Sequence, residues 1–190
     1  MKSRKNFFMA AGLGLVLAGV GGNVFGDEGE GGFLARWFNG KDSGVAPVDN
    51  PLYLEECGSC HFAYQPALLP ARSWQKVMSQ LDDHFGENAE LPEDERKEID
   101  RYLKDNAAEH SDSKISRKFL RSLGRGQTPL RISRIPYFVK EHDELPRRMV
   151  QGNQEVGSFS RCDACHVDAA SGRFDEHEVR IPGFGRWEDD

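Results

Sequence analysis

The 190-residue chain carries 31 acidic against 25 basic residues, a formal charge of −6, and 38% of its residues are hydrophobic. That balance makes it a poor nucleic-acid binder and suits it to basic protein partners. The apolar fraction provides for one or two modest cores and says nothing further about function.

Lys2, Arg4 and Lys5 open the chain, an apolar run follows from Phe7 to Val20, and small residues reach Gly26. Residues 1–26 therefore read as a signal peptide cut near Gly26, which predicts a periplasmic protein. The alternative is a membrane anchor, but the run is glycine-rich and shorter than the ~20 residues a spanning helix needs. Cleavage removes three positive charges and no negative one, so the net charge moves from −6 to −9. Residues 27–49, rich in glycine and acid, read as a flexible leader with a short docking helix through Leu34 to Phe38.

The first module is expected over residues 50–110. Asn50 before Pro51 is a helix start, a capping side chain ahead of a proline whose missing N–H costs nothing there. That helix is predicted to carry Leu52, Leu54 and Cys57-Gly58-Ser59-Cys60-His61. The five-residue pattern recurs as Cys162-Asp163-Ala164-Cys165-His166, and the two copies use every cysteine in the chain. C-x-x-C-H is the attachment signature of a c-type haem. Two thiols add across the vinyl groups as thioethers, and the adjacent histidine binds the iron.

Other uses of these cysteines fit less well. About a hundred residues separate the pairs, whereas zinc-ribbon spacings run to ~20. A thioredoxin-like pair needs a βαβ setting that neither copy has. Disulfides suit an exported chain but leave the two histidines unexplained. Haem c is attached after export in bacteria, so motif and signal peptide support one another.

Past the first motif, Pro66 and Pro70 hold a loop. Trp74, Val77, Met78, Leu81 and Phe85 then recur at helical spacing until Gly86, and a further helix begins near Pro92 with Ile99, Tyr102 and Leu103 on one face. His84 lies on the first of these stripes, where an imidazole finds a partner if a haem is near. Met78 on the same stripe is the rival ligand.

Residues 111–130 form a basic connector. Lys114 to Arg134 holds seven basic residues and no acidic one. One reading is a solvated link with a short helix through Phe119 to Leu123. The other has its arginines pairing with haem propionates.

The second module, residues 131–190, runs in the opposite order. Only 24 residues follow His166, and they are turn-rich, with Gly172, Pro182, Gly183 and Gly185. Most of the wall of the second haem, and its sixth ligand, are therefore expected from residues 130–160. His142 follows Phe138 by four and Val139 by three, in a segment that Pro136 begins and Pro146 ends. His177 is the alternative, flanked by charge, and His110 in a polar stretch ranks behind both.

Cys57 to Trp74, then Leu81-Asp82-Asp83-His84-Phe85-Gly86, and later Arg131-Ile132, His142, the second motif, Gly172 and Ile181-Pro182 together resemble the small soluble dihaem cytochrome c family. The resemblance covers roughly residues 50–183. It implies a mainly α fold, with an N-terminal class I-like cytochrome c domain and a second, irregular haem domain with few helices. It further implies two covalently bound haem c groups on Cys57, Cys60, Cys162 and Cys165, with bis-histidine iron. The axial pairs would be His61 with His84 and His166 with His142. By the same analogy the protein carries electrons from a membrane cytochrome b to a soluble oxygen-binding monohaem cytochrome c and is not an enzyme. The competing class is a dihaem enzyme or gas sensor with one open iron.

Overall fold

The computed structural model describes residues 44–187, which fall in one compact unit, Lys41–Asp190. The signal peptide and the helix expected through Leu34 to Phe38 lie outside the described residues.

Helix α1, Pro51–Glu56, starts as its sequence dictates: the Asn50 side chain accepts from the Tyr53 N–H at 2.8 Å, and Pro51 occupies the first turn. It stops short of the first motif. Cys57 is its C-cap, and the Gly58 N–H donates to the Leu54 carbonyl at 3.1 Å. A Cβ at Gly58 would meet that oxygen at 2.2 Å, so only glycine fits.

Helix α2 is Ala71–Met78 and α3 is Glu93–Asp105. Three acidic residues in the first turn of α3 and Lys104 in its last complement the helix dipole. Ile99 and Leu103 of α3 are essentially inaccessible and share a core with Trp74, Met78 and Leu81. The stripe from Trp74 to Phe85, expected as one helix, breaks at Met78. A single 3₁₀ turn, Leu81–Asp83, follows, and Phe85 sits at φ 59°. The Asp83 carboxylate accepts from the Gly86 N–H at 3.0 Å, and the His84 N–H donates to the Glu87 carbonyl at 2.7 Å. These local bonds offer the backbone an alternative to the helix.

The basic segment supplies α4, Lys114–Ser122, capped by Ser113. Its Phe119 is buried in the same core, and buried Ser116 donates to the Ala67 carbonyl at 2.8 Å. Helix α5, Pro136–Lys140, begins at the expected proline and adds Phe138 to that core. The remainder is 3₁₀ turns and one antiparallel pair, β1 (Arg180–Ile181) with β2 (Gly185–Arg186). Low helix content after residue 140 follows from the glycines and prolines there.

Within residues 44–49, read from sequence as the end of a leader, two residues are tied to the rest of the fold. Val45 is buried and its N–H donates to the Gly172 carbonyl at 2.8 Å, while Ser113 donates to the Gly44 carbonyl at 2.6 Å.

Candidate haem-binding site

His61 and His84 face each other with ring centroids 6.1 Å apart and planes 17° apart. His142 and His166 form a second pair at 6.2 Å, with planes 70° apart. A ligating imidazole nitrogen lies ~2 Å from its metal, and ring bonds of ~1.33 Å put the ring centre ~1.1 Å beyond. Two imidazoles on opposite sides of one metal are therefore about 6 Å apart. Both pairs have that separation.

The tautomers agree with this. His61 Nδ1 lies 2.8 Å from the Phe62 carbonyl and His142 Nδ1 lies 2.8 Å from the Phe138 carbonyl. Donation there puts the proton on Nδ1 and leaves Nε2 bare to ligate. Burial, reinforced by the neighbouring His61, lowers the pKa of His84. Burial likewise lowers that of His142, and with His142 nearby it takes His166 down to about 4. Neutral imidazole is the form that binds metal.

Each histidine is aimed by its surroundings. The tight turn after α2 presents His84, whose ring meets the edge of Phe85 at 4.8 Å. The Arg131 guanidinium lies 3.9 Å over the same Phe85 ring. The ring of His142 is stacked on Phe138 at 3.9 Å, and Phe159 stands edge-on at 5.8 Å. His166 follows a 3₁₀ turn at Cys162–Ala164, has Phe174 edge-on at 5.5 Å, and keeps a buried Nδ1 without a partner. Phe159 and Phe174 were not foreseen, because nothing in their local sequence separates a haem-wall aromatic from an ordinary core one.

The unchosen ligands lie elsewhere. Met78 is buried in the core, His110 is exposed, and His177 is exposed beside Glu176.

All four cysteines are unpaired. Burial pushes the Cys57 thiol up to about 11 and Cys162 up to about 12, the reverse of a reactive redox pair. Among the described residues no three His, Cys, Asp or Glu side chains converge as a bare-metal site. A cavity of about 880 Å³ opens beside the first motif, lined by Leu54, Cys60, His61 and Tyr64 and, from the second half, by Ser160 and Asp163. Paired neutral imidazoles, adjacent thiols and a large partly apolar cavity fit haem c.

The family model for dihaem cytochrome c matches residues 53–174. The chain belongs to the dihaem cytochrome c family. It is similar to the dihaem cytochrome c of Shewanella baltica OS155, at 44% identity over 73% of this chain and 98% of that one, with a TM-score of 0.61. It is also similar to the dihaem cytochrome c of Rhodobacter sphaeroides, at 45% identity over 68% and 99% of the two chains, again with a TM-score of 0.61. No curated protein sequence matches significantly. This dihaem cytochrome c carries two covalently bound haem c groups, a composition that implies electron transfer between protein partners. Among the described residues no helix is long and apolar enough to cross a membrane.

Proposed function

We propose that the protein is an exported, low-potential electron carrier with bis-histidine ligation at both irons. Cys57 and Cys60 hold the first haem, with His61 and His84 as axial ligands. Cys162 and Cys165 hold the second, with His166 and His142. The observation that carries this reading is the equal spacing of the two histidine pairs, 6.1 and 6.2 Å.

Bound haem c supplies an iron that exchanges one electron between its ferric and ferrous states. The chain's residues decide what else can happen there. A histidine pair bound to each iron would leave no position for a substrate, and without a methionine thioether low potential would be favoured. Phe138, Phe159 and Phe174 shield the second pair from water. The first haem belongs to residues 50–110 and the second to 131–190, with the basic segment 111–130 bracing them. By resemblance to the family, a membrane cytochrome b donates and an oxygen-binding monohaem cytochrome c accepts, after cleavage near Gly26 has released the protein into the periplasm. An acidic surface would speed such encounters with basic partners.

Absorption and EPR spectra of the purified ferric protein test the assignment. Two low-spin bis-histidine signals are expected. A stable high-spin fraction at either iron overturns it in favour of a dihaem enzyme or gas sensor.

A further inference from the structure

Seven basic residues and no acidic one lie between Lys114 and Arg134, so the rest of the chain carries −13 against its overall −6. The charge is polarised, and α4 displays the positive end. Its inner side buries Ser116 and Phe119, while Lys114, Arg117, Lys118 and Arg121 are exposed. These four recur every three or four residues and line one stripe of the helix. Like charges at that spacing oppose one another. Lys114 in the first turn also opposes the helix dipole, which α3 satisfies with Glu93, Asp94 and Glu95. Helix stability therefore does not account for the stripe. Internal pairing does not account for it either. The Arg117 guanidinium donates to the Asp112 carbonyl, and Lys118 Nζ donates to the Tyr137 hydroxyl at 2.6 Å with Glu141 and Glu176 near. Arg121, Arg125 and Arg134 are exposed and have no carboxylate partner among the described residues. The segment also reaches the supports of both distal histidines. Tyr137, held by Lys118, precedes the Phe138 on which His142 is stacked, and Arg131 lies over Phe85 beside His84.

We propose that the basic face of α4, with Arg125 just beyond its end, docks an acidic redox protein through a cluster of that partner's Asp and Glu carboxylates. Arginine outnumbers lysine five to two in the segment, and its planar fork takes a carboxylate in two parallel hydrogen bonds. Arginine is enriched and lysine depleted at protein interfaces, so this choice fits a docking surface better than a merely solvated one. An acidic carrier thereby gains a second approach, opposite in sign to the rest of its surface. The inference rests on the electron-carrier reading and adds the chemistry of one partner to it.

The test follows reduction of the ferric holoprotein by flavodoxin hydroquinone, an acidic one-electron donor, in a stopped-flow spectrometer. One electron leaves the flavin and reduces one ferric iron, and no bond changes in the chain. Two net-negative proteins should react faster as salt screens their repulsion, whereas docking on this face should make the rate fall with ionic strength. Arg121→Glu combined with Arg125→Glu should slow the low-salt reaction about tenfold or more and abolish that fall. Lys76→Glu combined with Arg101→Glu makes the same charge change on exposed residues of α2 and α3. It should slow the reaction less than about twofold. Oxidised flavodoxin should protect the backbone amides of residues 114–125 from hydrogen exchange. A wild-type rate that rises with salt, or equal slowing by the two double variants, overturns the proposal. So does pelleting with vesicles of equal phosphatidylcholine and phosphatidylglycerol when charge reversal leaves the flavodoxin rate unchanged, the mark of a lipid-binding face. A high-spin iron in the unmutated protein would instead overturn the bis-histidine reading and leave the amide map intact, so the two failures are distinguishable.

Discussion

His166 meets His142 with their ring planes 70° apart, whereas His61 and His84 lie within 17° of parallel. Parallel axial imidazoles act on the two iron d orbitals of π symmetry unequally, and perpendicular ones act on them nearly equally. The ferric protein should therefore give two different low-spin EPR signals, a rhombic one from the first haem and a more anisotropic one from the second. Two superimposable rhombic signals would show that the second pair does not hold its angle when bound.

His84→Ala should leave both haems attached, because attachment needs only the C-x-x-C-H residues, and should turn the rhombic signal high-spin. Met78→Ala should keep both signals low-spin and cost stability by ~2–5 kcal/mol, the usual penalty for truncating a buried methionine. Its side chain is 3% exposed and packs in the core. The reverse spectral result would make the first haem His/Met.

His142→Ala should remove the anisotropic signal, and His177→Ala should leave the spectrum unchanged. His142 is stacked on Phe138 and faces His166, while His177 has a side chain 73% exposed. Recording both ferric spectra decides the ligand, and loss of the signal in His177→Ala alone would contradict the geometry.

Tyr53 should make stability fall at alkaline pH. Burial raises its pKa well above the ordinary 10.0. The unfolded chain ionises first, so the contribution is fully present below the unfolded pKa and is lost as pH rises through the folded one. Tyr53→Phe should cost ~1–3 kcal/mol at pH 7, leaving the Tyr64 carbonyl without its donor. It should also flatten the decline above pH 10, where denaturant melts of both proteins give the comparison. An undiminished alkaline slope would count against this role.

Gly172→Ala should destabilise the packing of residues 44–46. Gly172 has φ 74°, and a Cβ there would come within 2.1 Å of the Val45 carbonyl oxygen. The loss should exceed ~1 kcal/mol, because φ and space are both incompatible with alanine. A lower melting temperature with faster proteolysis near Val45 is expected, and an unchanged melt would refute the tight approach.

The cofactor was legible in the sequence because covalent attachment is local chemistry, complete within Cys57 to His61 and again within Cys162 to His166. The start of α1 was legible for the same reason, since Asn50 caps the Tyr53 N–H three residues on and Pro51 has no N–H to satisfy. The face of α3 carrying Ile99 and Leu103 followed from helical period alone. The break after Met78 did not: the apolar spacing continues to Phe85, and only the bonds among Asp83, His84, Gly86 and Glu87 reveal a turn. That His142 and not His177 meets His166 was also a tertiary matter, as was the burial of Val45 against Gly172. The Tyr64 bridge to Ser160 is the extreme case. A carbonyl 96 residues away has no sequence signal, because every residue offers one, and packing alone decides which of them a buried hydroxyl reaches.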